Sequence, residues 1–306
     1  MKSLNIVFMG TPEFAVASLE ALVQSHHKVV AVVTAPDKPQ GRGLIPAPSP
    51  VKTCALKYSI PVLQPEKLKS EEFHTELKSF QADLFIVVAF RMLPEAVWSM
   101  PALGSVNLHA SLLPKYRGAA PINHAIINNE TETGITTFRL KHEIDTGNIL
   151  FAEREPIFPE DDAGSLYERL MVKGADLILK TANAIAEGTA VETPQPSITG
   201  ALPVAPKIFK ETCKIDWTKS TREILNQIRG LSPYPGSWTV LNDKIFKIFK
   251  AVISSSTKDG KPGSIFSDGK DNLEVRCNDG WLSILNLQPE GKKRMNTQEF
   301  FRGNKI

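Results

Sequence analysis

Two polar residues at the end of an apolar strand have the side-chain chemistry of a catalytic pair. The stretch Ser105 to His109 alternates, which predicts a strand with Val106 and Leu108 toward the core and Asn107 and His109 on the opposite face. The amide of Asn107 can donate a hydrogen bond to an oxygen that gains negative charge. The imidazole of His109 can take or give a proton near neutral pH. A buried Asn and a structural core His would show the same spacing, so the pair alone leaves both interpretations open.

The residues around this pair follow the pattern of a known enzyme family. Asn107, His109, the run Ser111-Leu112-Leu113-Pro114, and Asp145 of Asp145-Thr146-Gly147 together resemble the folate-dependent formyltransferases. The resemblance implies that Asn107, His109 and Asp145 form the active site. It also implies that the folate is bordered by Ser111, Leu112, Leu113 and Pro114. The longer run from Ser111 to Ile122 resembles the family members that formylate methionyl-tRNA.

The resemblance implies a mechanism without a metal or a covalent enzyme intermediate. The amino group of methionine on initiator tRNA would attack the formyl carbon of 10-formyltetrahydrofolate, and Asn107 would stabilise the oxygen that becomes negative. His109 or a bound water would take the amine proton, and Asp145 would orient His109. A metal site from His109, His142 and Asp145 is an alternative, but its spacing matches no known ligand pattern.

The amino-terminal part of the chain alternates between strand-like and helix-like segments. Leu4 to Met9, Glu13 to Gln24 and Val29 to Thr34 predict a β-α-β opening, and Ala82 to Ala89 predicts a buried central strand. We therefore expect an α/β fold with a Rossmann-like, mostly parallel sheet and helices on both faces. The turn at Gly10 lacks the second and third glycines of a dinucleotide-binding motif, so the sequence does not favour a dinucleotide site.

Further elements follow from periodicity and capping residues. The predicted helices cover Val51 to Tyr58 (capped by Ser49), Glu66 to Phe80, Ile122 to Ile127 and Ser165 to Glu187, and the predicted strands include Thr133 to Leu140 and Ile149 to Ile157. Ligands of open α/β sheets lie beyond the carboxyl ends of the strands. The family places its pterin ring after the central strand, which implies folate contacts for Phe90, Met92 and Leu93. Because Phe90-Arg91-Met92 replaces the usual Tyr-Gly pattern and is one residue shorter, we expect a reshaped pterin pocket.

A long loop from Ala35 to Pro50 separates two of these elements. Its prolines and glycines predict irregular structure, and it carries the basic residues Lys38 and Arg42. In the family a basic loop at this place enters the acceptor arm of the tRNA, and Arg42 matches the arginine of its Gly-Arg-Gly motif. We expect the loop to become ordered on tRNA, although a solvated insertion would have the same composition.

The carboxy-terminal third has a different composition and charge. Residues 207–306 hold 18 Lys and Arg against 11 Asp and Glu, whereas residues 1–206 hold 18 against 22, giving net charges of +7 and −4. A basic module indicates a polyanionic partner, and a lysine-rich solvated surface is the alternative. Five short strands are predicted, at Gly236 to Leu241, Lys244 to Ala251, Gly263 to Ser267, Leu273 to Asn278 and Gly280 to Leu287.

These patterns, together with what the resemblance implies about folate and tRNA, predict three segments. Residues 1–189 form a folate-binding catalytic domain, residues 190–206 a Pro- and Thr-rich linker, and residues 207–306 an OB-like barrel that binds tRNA, with Lys207 among its contacts. The three scattered cysteines suit a reducing cytoplasm. We expect a monomer without membrane contact whose partners are charged initiator tRNA and folate. The alternatives are a formyltransferase acting on a nucleotide-sugar amine, a folate hydrolase, and a non-catalytic RNA-binding module.

Overall fold

The computed structural model describes residues 2–40, 45–196 and 201–306. The chain divides into two compact units. The first contains the residues up to Gly118, Thr133–Glu155 and Tyr167–Pro203, and the second contains Ala119–Glu132, Pro156–Leu166 and Val204–Ile306. Within these described ranges, no helix is both long and apolar enough to cross a membrane.

Strands and helices alternate through the first two thirds of the chain. In chain order they are β1 (Asn5–Gly10), α1 (Phe14–Val23), β2 (Lys28–Val33), β3 (Lys38–Gln40), β4 (Ile45–Ala47), α2 (Pro50–Lys57), β5 (Val62–Leu63), α3 (Glu71–Ser79), β6 (Leu84–Val88), α4 (Glu95–Trp98), β7 (Ser105–His109), β8 (Arg117–Gly118), α5 (Pro121–Ile127), β9 (Glu132–Arg139), β10 (Ile149–Pro156) and α6 (Ala163–Glu187).

Short strands dominate the remainder. They are β11 (Val204–Ala205), β12 (Ser237–Leu241), β13 (Lys244–Ser254), β14 (Ile265–Ser267), β15 (Leu273–Arg276), β16 (Trp281–Pro289) and β17 (Met295–Asn296), with a 3-10 turn at Glu211–Cys213 and the helices α7 (Thr221–Leu231) and α8 (Thr297–Phe301).

A seven-stranded sheet organises the first unit, with the order β10-β9-β7-β6-β1-β2-β5. The pairs β1–β2, β1–β6, β6–β7 and β2–β5 are parallel, whereas β7–β9 is antiparallel. All five residues of β6 are buried, as expected of a strand covered on both faces. The chain runs outward from β1 through β2 to β5 and then resumes with β6 on the other side of β1, so the strand order reverses between β1 and β6. Ligand sites of open α/β sheets lie at such a reversal.

One face of this sheet packs against α3. Val7 and Met9 of β1 and Phe85 and Val87 of β6 form a buried cluster with Phe73 of this helix. Alternate residues of each strand contribute, as the two-residue period of a strand requires. The predicted α/β class with a mostly parallel sheet is therefore confirmed.

Helix boundaries depend on individual capping residues. Ser49 caps α2 as predicted, because its side chain accepts a hydrogen bond from the Lys52 N–H at 3.0 Å. The predicted helix over Glu66 to Phe80 was too long at its start, since Ser70 caps the helix and α3 begins at Glu71. Helix α6 ends at Glu187, and Gly188 follows with a φ of +70°, a conformation that glycine adopts without strain.

The prediction that prolines and glycines keep the loop from Ala35 to Pro50 irregular was wrong for its described parts. β3 and β4 pair in antiparallel fashion, with Pro39 opposite Pro46. Neither proline has an N–H group, so the pair fits a position of the ladder that carries no hydrogen bonds. Residues 41–44, which include Arg42, lie outside the described part of the chain.

The second unit contains an antiparallel sheet with the order β12-β13-β16-β15-β14, and β17 pairs with β16. All five predicted strands are present, and Met295–Asn296 is a sixth that the pattern did not predict. Helix α7 begins with a capping box between Ser220 and Glu223, and its Ile224 and Ile228 pack into the core of the sheet. This sheet confirms the predicted small barrel-like domain.

Replacing Gly230 with Ala tests the close contact between α5 and α7. A Cβ atom at Gly230 would lie 2.5 Å from Ile127 Cγ1 and 2.9 Å from the backbone oxygen of Asn123. The Asn123 side chain also donates a hydrogen bond to the Gly230 oxygen at 2.7 Å. Alanine favours a helix by about 1 kcal/mol over glycine. We nevertheless expect Gly230→Ala to lower the free energy of unfolding by about 1–3 kcal/mol, because backbone atoms cannot rotate out of the way.

Urea denaturation of the full chain measures this change. Gly303→Ala is the matched control, because no atom lies within 4 Å of a Cβ atom there, and it should leave the unfolding free energy nearly unchanged. A Gly230→Ala variant as stable as the wild type would contradict the packing argument.

Candidate active site

Strand β7 presents Asn107 and His109 from one face of the sheet, because residues two apart on a strand share a face. In the register, Asn107 lies opposite Val87 of β6, and His109 lies opposite Thr136 of β9. Leu108 points to the other face, where a Cβ atom on Gly174 of α6 would lie only 2.8 Å from it. The close helix on the far side makes β7 a rigid support for the two polar residues.

His109 is buried and held by the backbone of the following loop. Its Nε2 lies 2.8 Å from the Tyr116 carbonyl oxygen, and only about 7% of its side chain is exposed. A carbonyl oxygen can only accept, so Nε2 carries a proton and donates it. Nδ1 faces the carboxylate of Asp145, with 3.8 Å between Nδ1 and Oδ2. This separation is too long for a hydrogen bond but suits an ion pair when the imidazole is protonated.

Asp145 reaches His109 from a separate loop. Its Oδ2 accepts a hydrogen bond from the Gly118 N–H at 3.0 Å. Its backbone has a φ of +54°, and Tyr116 has a φ of +59°. Non-glycine residues rarely adopt this left-handed conformation, which persists only where the surroundings hold it. The structure thus brings Asp145 to His109, although 36 positions separate them in the chain.

Asn107 is half-buried beside this pair. Within the described residues, no hydrogen bond engages its side chain. Its amide therefore remains available to an oxygen atom of a ligand on the same face as His109.

The run from Ser111 to Pro114 forms the loop after β7. The Thr136 hydroxyl donates to the Ser111 carbonyl at 2.7 Å and accepts from the Leu113 N–H at 3.3 Å. The Ser111 hydroxyl donates to the Lys115 carbonyl at 2.7 Å. Ser111, Leu113 and Pro114 are buried, and Leu112 is half-buried. The loop is therefore fixed by hydrogen bonds to Thr136 of β9 and by one within the loop, and Leu112 is its most accessible predicted folate contact.

The segment after β6 carries the other predicted folate contacts. Met92 is 74% exposed, Phe90 is half-buried and Leu93 is buried. Between them, Arg91 donates hydrogen bonds to the carbonyl oxygens of Glu66, at 3.0 Å, and Pro65. Ala89 precedes them with a φ of +47°. Arg91 thus ties the segment to the loop before α3, a contact that the sequence pattern did not indicate.

The three predicted tRNA contacts lie in different settings. Lys38 is exposed on β3, and Arg42 lies outside the described residues. Lys207 lies in the second unit, with its ammonium nitrogen 5.5 Å from the centre of the Phe209 ring.

Sequence analysis missed several residues that hold the catalytic candidates. Tyr116 and Gly118 lie in the family-like run, which was a usable signal. Gln195 hydrogen-bonds the backbone of Asp145 and lies in the segment predicted to be a linker, where no pattern marks it. His142 is 87% exposed and lies beside Glu95, and no metal-binding group of three His, Cys, Asp or Glu side chains occurs in the described ranges.

Comparisons with known proteins agree with this fold. Residues 2–182 match the formyl transferase family, and residues 207–305 match the formyl transferase C-terminal domain. The chain therefore belongs to the formyl transferase family, and the predicted resemblance is confirmed. It is a formyl-transferring enzyme.

Its curated relatives carry a more specific name. The chain is 52% identical over 309 residues to methionyl-tRNA formyltransferase from Bacteroides fragilis, covering 99% of this chain and 95% of the relative. It is 53% identical over 310 residues to methionyl-tRNA formyltransferase from Azobacteroides pseudotrichonymphae, covering 98% and 96%.

Solved structures share the fold at lower identity. An N-formyltransferase from Helicobacter canadensis, in complex with folinic acid and dTDP-3-aminofucose, is 23% identical with a TM-score of 0.67, covering 95% of this chain and 100% of that one. HypX from Aquifex aeolicus in complex with tetrahydrofolic acid is 18% identical with a TM-score of 0.66, covering 98% and 48%.

Replacing Gly147 with Ala tests how tightly the Asp145 loop is placed. A Cβ atom at Gly147 would lie 1.6 Å from the Arg139 backbone oxygen, so the loop must move to accept it. A displacement of about 1 Å can cost roughly 10²-fold in rate. We expect Gly147→Ala to lower the kcat of formyl transfer at least about 10-fold.

Steady-state kinetics and thermal melts measure the effect. Ile144→Ala changes an exposed side chain of the same loop and should keep normal turnover. Normal kcat in Gly147→Ala would show that the loop adapts without moving Asp145.

Proposed function

We propose that the chain transfers the formyl group of 10-formyltetrahydrofolate to the amino group of methionyl-initiator tRNA. The product is N-formylmethionyl-tRNA for translation initiation. The observation that carries this proposal is 52% identity to a curated methionyl-tRNA formyltransferase over 99% of this chain. We further propose a cytoplasmic monomer in which residues 1–189 catalyse the reaction, 190–206 link the domains and 207–306 bind tRNA.

The folate is proposed to bind beyond the carboxyl ends of β6 and β7. A pterin is flat and apolar on its faces, with polar groups along its edge. Phe90 and Met92 supply partly exposed apolar surface beside the backbone groups of an irregular segment, which fits such a ring. Leu112 and Leu93 border the same strand ends. Hydrogen bonds of Ser111 and Leu113 fix the loop after β7, which continues through Pro114. When bound, 10-formyltetrahydrofolate supplies the formyl group at an electrophilic carbon.

In the proposed reaction, Asn107 stabilises the developing negative charge and His109 accepts a proton. The amide of Asn107 donates to the oxygen that becomes negative as the amine attacks. His109 keeps the proton on Nε2, where it is donated in a hydrogen bond to the Tyr116 carbonyl, and it accepts the amine proton at Nδ1. The carboxylate of Asp145, 3.8 Å away, stabilises the imidazolium that results. As the bond between the formyl carbon and N10 breaks, the imidazolium of His109 would return this proton to N10, so that tetrahydrofolate leaves and neutral His109 is restored. The rigid strand supplies orientation, which accounts for much of the rate when two large substrates react.

The proposed tRNA contacts combine positive charge with aromatic rings. In the second unit, Lys207 stacks on Phe209, whose side chain is 55% exposed, and Lys214 lies 5.6 Å from the Trp238 ring centre. Lysines bind phosphates, and exposed rings stack on unpaired bases. Lys38 on β3 and Arg42 would contact the acceptor arm.

A nucleotide-sugar amine is the second candidate acceptor, since a sugar-binding N-formyltransferase shares the fold. The deciding assay incubates the protein with 10-formyltetrahydrofolate and either charged initiator tRNA or a nucleotide-sugar amine. Formyl-methionine on the tRNA is the expected product. Formylation of the sugar amine alone would replace the proposal with the second candidate.

Substitutions of Asn107 and His109 test the catalytic assignment. Asn107→Ala should lower kcat by roughly 10²–10³-fold, the usual loss for one oxyanion donor. His109→Ala should lower kcat by at least about 10²-fold through loss of the proton acceptor. His142→Ala, a change of an exposed histidine, is the matched control and should leave kcat unaltered.

Steady-state assays with charged tRNA give kcat, and thermal melts verify that each variant folds. Near-normal turnover in folded Asn107→Ala or His109→Ala would remove that residue from the mechanism.

Substitution of Arg42 tests the proposed loop contact. A guanidinium can grip a phosphate with two parallel hydrogen bonds, so Arg42→Ala should lower kcat/KM for charged tRNA and leave folate affinity unchanged. Arg42→Lys should restore only part of this kcat/KM, because lysine restores the charge but cannot form the two parallel hydrogen bonds of a guanidinium. If the contact is to one phosphate, Arg42→Ala should also reduce the slope of log affinity against log salt by about 1.

Binding of tRNA at several salt concentrations gives the slope, and folate binding gives the control. Wild-type kcat/KM in Arg42→Ala would make Arg42 a solvated charge. An equal loss of folate affinity would assign the loop to the folate pocket instead.

A further inference from the structure

The amide of Gln195 is fully occupied by hydrogen bonds to the loop of Asp145 and to Arg117. Its Nε2 donates to the carbonyl oxygens of Asp145 at 2.7 Å and Gly147 at 2.9 Å. Its Oε1 accepts from Arg117 Nε at 3.2 Å and Arg117 Nη2 at 2.6 Å. Two donors and two acceptor positions are all that a primary amide offers. An amide is therefore the group that this position requires.

Arg117 links Gln195 to the residues that hold the other side of the site. Its neighbour Tyr116 accepts the hydrogen bond of His109, and its other neighbour Gly118 donates to the carboxylate of Asp145. Gln195 thus joins the segment of Arg117 to the loop of Asp145 and adds to the hydrogen bond between Gly118 and the Asp145 carboxylate. A shift of either segment would change the 3.8 Å separation of Nδ1 and Oδ2.

The two segments need such support because their backbones adopt unfavourable conformations. Asp145 and Tyr116 both have positive φ. Such conformations are unfavourable for residues with a side chain and persist where the surroundings over-determine them. Gln195 is itself anchored, because Thr193 and Ile149 exchange backbone hydrogen bonds of 2.7 and 2.8 Å. Gln195 therefore lies two residues from a backbone bridge to the start of β10.

We propose that Gln195 is a positioning residue of formyl transfer, which sets the carboxylate of Asp145 against His109 through the Asp145 loop and Arg117. The proposal rests on the proposed function of the same site. It assigns a positioning role to a residue of the segment between the two family-matched regions, residues 183–206.

Two substitutions of Gln195 in the full chain test this proposal. Gln195→Glu keeps the shape and the acceptors for Arg117 but removes the donors to the two carbonyls. Gln195→Met removes the hydrogen-bonding amide without adding a charge. It therefore tests the loss of these hydrogen bonds without repulsion between a carboxylate and the two carbonyl oxygens. Each variant should lower the kcat for methionyl-tRNA by about 10–100-fold and leave both KM values within about 2-fold.

Gln227→Glu is the matched control, because Gln227 Nε2 also donates to two carbonyl oxygens, those of Thr212 at 3.3 Å and Lys214 at 3.1 Å. This substitution removes the same kind of hydrogen-bond donors in the second unit and should retain wild-type kcat. Thermal melts should show comparable folding of all variants. A fall in kcat that only tracks the fraction of unfolded protein in both Gln195 variants would make Gln195 structural and overturn the proposal.

A double-variant cycle separates action through Asp145 from an independent effect. In an Asp145→Asn background, Gln195→Glu should lower kcat by less than about 2-fold, since the group being positioned is already changed. Losses that multiply, or wild-type kcat in both Gln195 variants, would overturn the proposal. Failure of the proposed function is distinguishable, because the wild-type protein would then yield no formyl-methionine.

Discussion

The hydrogen bond between His109 Nε2 and the Tyr116 carbonyl determines the chemistry of the site. Because the carbonyl must accept, it places one proton on Nε2 and leaves Nδ1 toward Asp145. The Gly118 N–H donates a hydrogen bond to Oδ2 of Asp145 and so holds this carboxylate near Nδ1 of His109. The segment from Tyr116 to Gly118 therefore orients both members of the pair through its backbone.

The backbone of this site is shaped by unusual conformations rather than by regular structure. Ala89, Tyr116 and Asp145 all have φ between +47° and +59°, at the ends of β6, of the loop after β7, and of the loop before β10. Each redirects the chain in a segment that follows β6, β7 or β9. Surrounding hydrogen bonds, among them those of Gln195 and Arg91, stabilise these unfavourable backbone conformations.

The two units use their core residues in different ways. In the first unit, β6 is buried on both faces, so polar function is confined to strand ends and loops. In the second unit, Ile224 and Ile228 of α7 cover one face of an antiparallel sheet. The exposed Phe209 and its neighbour Lys207 lie outside that core, where burial does not restrict their contacts.

The amino-acid sequence by itself determined the alternation of strands and helices, the family, and the candidates Asn107, His109 and Asp145. These features depend on local periodicity, capping residues such as Ser49, and short runs of characteristic residues. Local signals failed in the loop from Ala35 to Pro50, where the pairing of two short strands decides the conformation. The hairpin of β3 and β4 forms although prolines lie on both strands, since Pro39 and Pro46 face each other.

Only the tertiary structure decided which nitrogen of His109 faces Asp145, and that Gln195 and Arg117 hold the loop of Asp145. The partners are far apart in the chain, as the 50 positions between Gln195 and Asp145 show. Their hydrogen bonds require a distance and an angle rather than a residue pattern, so they exist only after the sheet has brought the strand ends together.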